Sequence, residues 1–271
     1  MNRAILGVRA AFTGLLIVTA VFIPRRVHAL EEYTSPRNAD VSIGGAKSIR
    51  IEGAAGILKV EGKQGIDQVR VRGTAKSTRK SRLEGIQLIA ERRGDEIFIK
   101  ADMPDDRDGF WNGRDNWDQM ALDLVIEVPS SLPLDVKDGS GEAEFNNTGA
   151  LDLSDGSGEI RIRGAHGDVR IEDGSGSIII QGVEGAVRIS DGSGEIRGRD
   201  VTGNFVVEED GSGSIDVSGV GGTMRVENDG SGNIDVDRVS GDFVVDHDGS
   251  GSIRYETVKG RVSIPDRKRR S

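Results

Sequence analysis

Over residues 138–264 apolar and polar positions alternate in short runs, and the runs themselves recur. Counting from Asp173, apolar residues fall at +5 and +7 (Ile178, Ile180), +10 (Val183), and +14 and +16 (Val187, Ile189), with glycines at +9 and +12 (Gly182, Gly185). The same frame from Asp155 gives Ile160, Ile162, Ala165, Val169 and Ile171, and from Asp210 it gives Ile215, Val217, Val220, Met224 and Val226. Apolar residues two apart with mostly polar neighbours are the mark of a half-buried strand. Each unit therefore predicts strand, Gly-x-x-Gly corner, strand, and a second corner.

That second corner is Asp-Gly-Ser-Gly. It starts at Asp138, Asp155, Asp173, Asp191, Asp210, Asp229 and Asp248, with spacings of 17, 18, 18, 19, 19 and 19 residues. The length changes are confined to corners. The 19-residue units carry one extra residue just before the Asp, as in Val207-Glu208-Glu209-Asp210, and the 17-residue unit shortens the other corner at Asn147-Thr148-Gly149. A slip inside a strand would turn its apolar set outward. The fold class this predicts is all-β, a parallel β-solenoid with 17–19-residue coils and an irregular N-terminal portion. The alternative is an antiparallel β-meander or sandwich, in which Asp-Gly is a hairpin turn. A meander leaves its apolar face uncovered, whereas stacked coils share one continuous core.

Upstream, Ile49, Ile51, Gly53, Ala54, Gly56, Leu58 and Val60 match the frame, with Gly44-Gly45-Ala46-Lys47 in place of the Asp-Gly-Ser-Gly corner. Val69, Val71, Gly73 and Thr74 read as the start of another coil, and residues 75–85 as a basic polar loop. The domain reading is a signal peptide at 1–29, a linker at 30–40, an irregular solenoid portion at 41–137 interrupted by the loop 102–118, the regular repeat at 138–264, and a basic tail at 265–271.

The first segment is an export address. Arg3 and Arg9 precede the apolar run 11–24, which is shorter than the ~20 residues of a spanning helix. Val27-His28-Ala29 offers small residues for cleavage between Ala29 and Leu30, although Arg25 and Arg26 also suit an uncleaved anchor. Cleavage leaves no membrane span. It also takes the net charge from −9 to −13, because the segment carries four arginines and no acid.

Composition narrows the function classes. The acidic balance argues against nucleic acid as a partner. With no Cys and only three His in 271 residues, thiolate chemistry is excluded and a His metal centre nearly so. Aromatic residues are 4% of the chain, which suits a narrow interior of small aliphatics. His166 and His247 fall near opposite corners and are not expected to meet. No nucleophile–base pairing, phosphate loop or zinc motif is present, so no catalytic residue, cofactor or firm metal site is assigned.

Two candidate sites stand out. In stacked coils Asp173, Asp191, Asp210, Asp229 and Asp248 form a column. They are weak cation candidates, since Ca²⁺ wants 6–8 oxygens and each corner supplies one carboxylate. The plainer reading is that each Asp caps its own turn. Phe110, Trp111 and Trp117 cluster in an acidic loop. They either cover the open side of the solenoid or form a patch for a glycan or protein partner.

The Asp-Gly-Ser-Gly-x-Ile and Gly-Val-x-Gly-x-Val motifs, with the exported N-terminus, resemble a bacterial putative-adhesin family of β-strand-repeat proteins, defined largely as a domain of unknown function. The resemblance implies a parallel β-solenoid at the surface or in the periplasm, without established catalysis. The expected function is a non-catalytic, exported envelope or surface scaffold or binding module. Its expected partners are an envelope glycan or protein, and end-to-end self-association is a further expectation. The alternative is a carbohydrate-active enzyme, a polysaccharide lyase or hydrolase, built on a β-helix.

Overall fold

A computed structural model describes residues 32–104 and 119–265. The repeat folds as its frame requires. Each Asp-Gly-Ser-Gly turn joins a strand of one sheet to a strand of the other: β8 (Leu134–Asp138) to β9 (Gly141–Asn146), β10 (Leu151–Asp155) to β11 (Gly158–Ala165), and β12 (Val169–Asp173) to β13 (Gly176–Val183). The series continues with β14 (Val187–Asp191) and β15 (Ile196–Val201), then β16 (Phe205–Asp210) and β17 (Ile215–Val220). It ends with β18 (Met224–Asp229) and β19 (Ile234–Val239), β20 (Phe243–Asp248) and β21 (Ile253–Val258), and the short β22 (Val262–Ser263).

Equivalent strands stack in parallel with equivalent residues in register, such as Ile160 on Ile178 and Val169 on Val187. The inward set is fully covered: Ile160, Ile162, Ile178, Val183, Val187 and Ile189 are at most 1% exposed. The parallel β-solenoid is thus the fold of the repeat.

The extra residue of the 19-residue coils lies where the sequence puts it. The pairing of β14 with β16 shifts between Ile189 and Ser190, so that Ser190 faces Glu209 and Asp191 faces Asp210. Without that bulge, the inserted residue would turn Asp210 outward.

The N-terminal part is built less regularly, from β1 (Tyr33–Ser42), β2 (Ser48–Glu52), β3 (Leu58–Lys63), β4 (Gln68–Ser77), the one-turn helix α1 (Lys80–Leu83), β5 (Gln87–Arg93), β6 (Glu96–Asp102) and β7 (Met120–Pro129). The β2–β3 unit is a coil, but out of the expected phase: Ile49 and Ile51 pair with Leu134 and Val136, and Ala55 lies beside Ser140, so Gly53-Ala54-Ala55-Gly56 and not Gly44-Gly45-Ala46-Lys47 stands at the Asp-Gly-Ser-Gly corner. It stacks in parallel on β8 and β9 on one side and on β6 and β7 on the other, so spatial order departs from chain order. The two resulting eleven-stranded sheets run β1-β4-β7-β3-β9-β11-β13-β15-β17-β19-β21 and β22-β20-β18-β16-β14-β12-β10-β8-β2-β6-β5.

Three expectations are corrected here. Val69 and Val71 do not begin a coil. They lie in β4, a ten-residue strand, longer than the 5–8 residues of the described coil strands of the repeat, which pairs antiparallel with β1 and β7. The expected linker is largely β1, an edge strand exposed on alternate residues, where Pro36 is tolerated. The expected loop 75–85 contributes Ala75, Ser77 and Leu83 to the interior and forms α1. The Arg37 guanidinium fixes this region by donating to the carbonyls of Leu83 and Ile86, each at 2.8 Å. Antiparallel strands and α1 therefore close this end of the stack.

Candidate functional site

The strand alternation decides where the repeated aspartates point. In β12 the pattern runs buried Val169, exposed Arg170, buried Ile171, exposed Glu172, buried Asp173. Asp is thus the last inward residue of its strand. The register carries this through all seven turns, placing Asp138 on Asp155, Asp155 on Asp173, Asp173 on Asp191, Asp191 on Asp210, Asp210 on Asp229 and Asp229 on Asp248. Neighbouring rungs are ~4.8 Å apart.

The column is therefore real, but it lies inside the molecule. Asp155 and Asp173 are 7% exposed, Asp229 4%, Asp191 2% and Asp210 1%. Turn capping, the plainer reading, is present: the Ser175 N–H donates to Asp173 Oδ1 at 3.2 Å, and the Ser193 N–H to Asp191 Oδ1 at 3.1 Å. The turns are also stitched rung to rung, with the Gly192 N–H donating to the Asp173 carbonyl and the Gly230 N–H to that of Asp210.

Beyond these bonds the carboxyls are poorly served. Oδ2 of Asp173 and of Asp191 is buried without a hydrogen-bond partner, and both carboxyl oxygens of Asp155, Asp210 and Asp229 are buried with no bond of full geometry, although the backbone N–H groups of Ser157, Ser212 and Ser231 lie close enough to favour the charged form. Burial disfavours the charged form of such a group, and a like charge beside it adds to the effect. Burial is the largest cause at Asp138, Asp155, Asp173, Asp191, Asp210 and Asp229. It raises the pKa of Asp155 and Asp191 and, with the Asp155 carboxylate adding to it, lifts that of Asp138 to about 6. With neighbouring carboxylates adding to it, Asp173 and Asp229 rise to about 6 and Asp210 to about 7. A neutral acid brings its own O–H donor, which a carboxylate lacks. Burial thus shifts these six carboxyls toward the neutral form, with Asp210 raised to about 7.

Among the described residues no group of three or more His, Asp or Glu side chains converges as metal ligands do. The five cation candidates are thus brought together as a ladder, not as a cage. Asp138 and Asp155 belong to the same ladder, and their shared tetrapeptide is the signal that identifies them.

Sequence reasoning missed the other corner. Asp168, Asn204 and Asp242 each follow a corner glycine, and their Oδ1 atoms accept the N–H of Ala186, Thr223 and Arg261 in the next coil at 2.8, 2.9 and 2.8 Å. The recurring Gly-Asp or Gly-Asn step was the available signal.

The outer faces are ladders of ion pairs between rungs: Arg161 with Glu142 at 2.5 Å, Arg163 with Glu144 at 2.9 Å, Arg188 with Glu208 at 3.1 Å and Arg225 with Asp246 at 2.6 Å. Exposed pairs of this kind stabilise by about 0–1 kcal/mol each. An open depression of about 290 Å³ lies along the Gly-x-x-Gly corner, lined by Pro133, Ala150, Ala186, Arg170 and Arg188. His166 reaches Glu184 at 3.0 Å and His247 the Glu227 carbonyl at 3.4 Å, so each has a local surface partner and the two do not share a site.

Phe110, Trp111 and Trp117, and the cleavage pair Ala29 and Leu30, lie outside the described residues. The segment holding the three aromatics connects β6 to β7, the connection that is an Asp-Gly-Ser-Gly turn in the coils of the repeat. No described helix is long and apolar enough to cross a membrane.

No protein-family profile matches the chain, and no curated protein matches its sequence. Solved structures with a similar chain path include a "putative cell adhesion protein" from Clostridium sporogenes, 12% identical, aligned over 86% of this chain and 99% of its own, with a TM-score of 0.36. A "putative adhesin" from Bacteroides fragilis is 12% identical over 88% of this chain and 98% of its own, with a TM-score of 0.32. A "putative lipid binding protein" from Parabacteroides distasonis is 14% identical over 85% and 97%, with a TM-score of 0.33.

Proposed function

We propose that this chain is a non-catalytic, exported protein of the cell envelope or surface, a scaffold whose outer faces bind an envelope glycan or protein. One observation carries the reading: the ionisable residues of the repeat recur from coil to coil and are used in turns and rung-to-rung ion pairs. A catalytic centre needs one constellation set apart from its surroundings, with a nucleophile or acid placed against a base. The repeat instead repeats its chemistry. The β6–β7 connection, which in the sequence carries Phe110, Trp111 and Trp117 where the repeat has its Asp-Gly-Ser-Gly turn, is the favoured contact region. Aromatic side chains supply large apolar area at binding faces.

The test uses insoluble cell-wall glycan as the probe. Co-sedimentation of the purified chain, weakened about tenfold by Trp111→Ala with Trp117→Ala while the far-ultraviolet spectrum is unchanged, supports the proposal. Release of new reducing ends, abolished by a single Asp or Glu substitution, overturns it in favour of a carbohydrate-active enzyme.

A further inference from the structure

The two ends of the stack are finished differently. At the N-terminal end β1, β4 and β5 run antiparallel and α1 folds over them. At the other end the last coil keeps the apolar frame of an interior coil. Ile253, Tyr255, Val258, Val262 and Ile264 occupy the inward positions. The equivalent residues one coil earlier are buried, with Ile234 at 0% and Val236 at 4% exposure. In the last coil Tyr255 is 45% exposed and Ile264 40%, and the Tyr255 ring leans on Phe243 at 5.9 Å between centroids. Terminal repeats of soluble solenoids normally turn a polar face outward. Among the described residues no strand pairs with the outer edge of β21 or β22.

We infer that this end is the interface for a second copy of the chain, joined tail to tail by antiparallel pairing of β21 with its symmetry mate. The geometry allows it in one operation. A two-fold axis perpendicular to the sheets relates antiparallel strands, and the same axis brings the β22 edges together. The register follows from face and charge. Residues directly opposite across an antiparallel pair share a face, so the inward residues of β21 stay inward only when the two residue numbers sum to an even value. Centring on Arg254 places arginine on arginine, and centring on Glu256 places glutamate on glutamate. Centring on Tyr255 places each Arg254 opposite Glu256 of the partner subunit and stacks the two exposed tyrosines over the open core. Opposite charges across a strand pair stabilise it and like charges oppose it. Among the described residues the edge strands at the N-terminal end, β1 and β5, pack against each other and expose no large apolar side chain, so that end lacks the apolar face that the last coil offers and the pairing stops at a dimer.

The test is sedimentation equilibrium of the full chain across a range of concentrations. The expected result is a mass twice that of the chain. Arg254→Glu or Glu256→Arg should weaken the dimer about tenfold or more, because each places like charges opposite twice, and R254E with E256R together should restore it. Both residues are exposed, and the Arg254 guanidinium reaches Asp235 of its own chain in a surface pair of 3.4 Å, of the kind that contributes little to stability, so the fold is left intact. A monomer at all concentrations overturns the inference, as does a dimer indifferent to the single reversals. A monomer that dimerises only when residues 266–271 are removed overturns it in favour of the tail as occupant.

Discussion

The ring of Phe205 lies where a side chain at residue 198 would stand. Gly198 occupies an inward position, in register with Ile180 below and Val217 above, yet a Cβ built there would collide with the Phe205 Cε2 and Cζ atoms. One coil surrenders a side chain in one sheet so that the other can insert a ring, which keeps the interior filled at constant width.

The pair gives the first prediction. Gly198→Ala should destabilise by about 1–3 kcal/mol through overpacking. The equivalent of Phe205 one coil earlier is Val187, so the strand accepts valine. Combined with Phe205→Val, the Gly198→Ala change should become neutral or favourable. A double-mutant cycle in denaturant checks this, and additive costs would contradict the packing.

The glycines of the two corners should differ sharply in tolerance. Gly194 ends an Asp-Gly-Ser-Gly turn at φ +146°, and a Cβ there would strike the carbonyl oxygen of Gly176. Backbone cannot yield as a side chain can, so Gly194→Ala should cost several kcal/mol, on the order of the larger single-site effects. Gly182 also has positive φ, +72°, but nothing within 3.8 Å of its Cβ position. Its counterparts in the column include Asn147, Asp200 and Arg238, all in the left-handed region. Gly182→Asn should therefore change the melting temperature by no more than about 2 °C.

Insertions should separate corners from strands in the same way. One residue added before Asp173 copies the bulge by which β16 meets β14, and should leave a folded, slightly less stable chain. One residue added between Ile178 and Ile180 turns the following inward residues outward. Thermal melts with dye binding to exposed apolar surface read the difference, and equal behaviour of the two variants would contradict the register.

The frame of Ile178, Ile180, Val183, Val187 and Ile189 was legible because burial of aliphatics and strand period are local properties of a sequence. The N-terminal order was not. Nothing near Ile49 or Ile51 says that they pair with Leu134 and Val136 rather than with the next strands of the chain. Val69 and Val71 fit the coil frame over four residues, but the strand runs on through Gly73 and Ala75 to Ser77 with mixed polarity, and only its partners reveal its direction. The column of Asp173 and its equivalents and their turn capping were legible in the repeat. Their burial was not drawn from it, although spacing from Ile171 places each Asp on the inward side.

That inward placement is the centre of the account: the most conspicuous chemistry in the sequence is a buried ladder of carboxyls whose burial favours their neutral form. Its sign is testable. The ordinary aspartate value is about 3.9, and Asp173, Asp210 and Asp229 are raised to about 6, 7 and 6. A carboxyl raised in the folded state contributes stability that is complete below its unfolded value and is lost as pH rises through its folded value. The decisive measurement is the melting temperature of the wild type and of Asp210→Asn between pH 4.5 and 8, with chelator present throughout. The wild type should melt highest near pH 4.5–5 and lose about 5 °C or more by pH 8. The asparagine variant, neutral at every pH, should match it near pH 5 and melt about 2–4 °C higher at pH 8. A wild type that is more stable at pH 8 than at pH 5, with Asp210→Asn destabilising at both, would contradict the account.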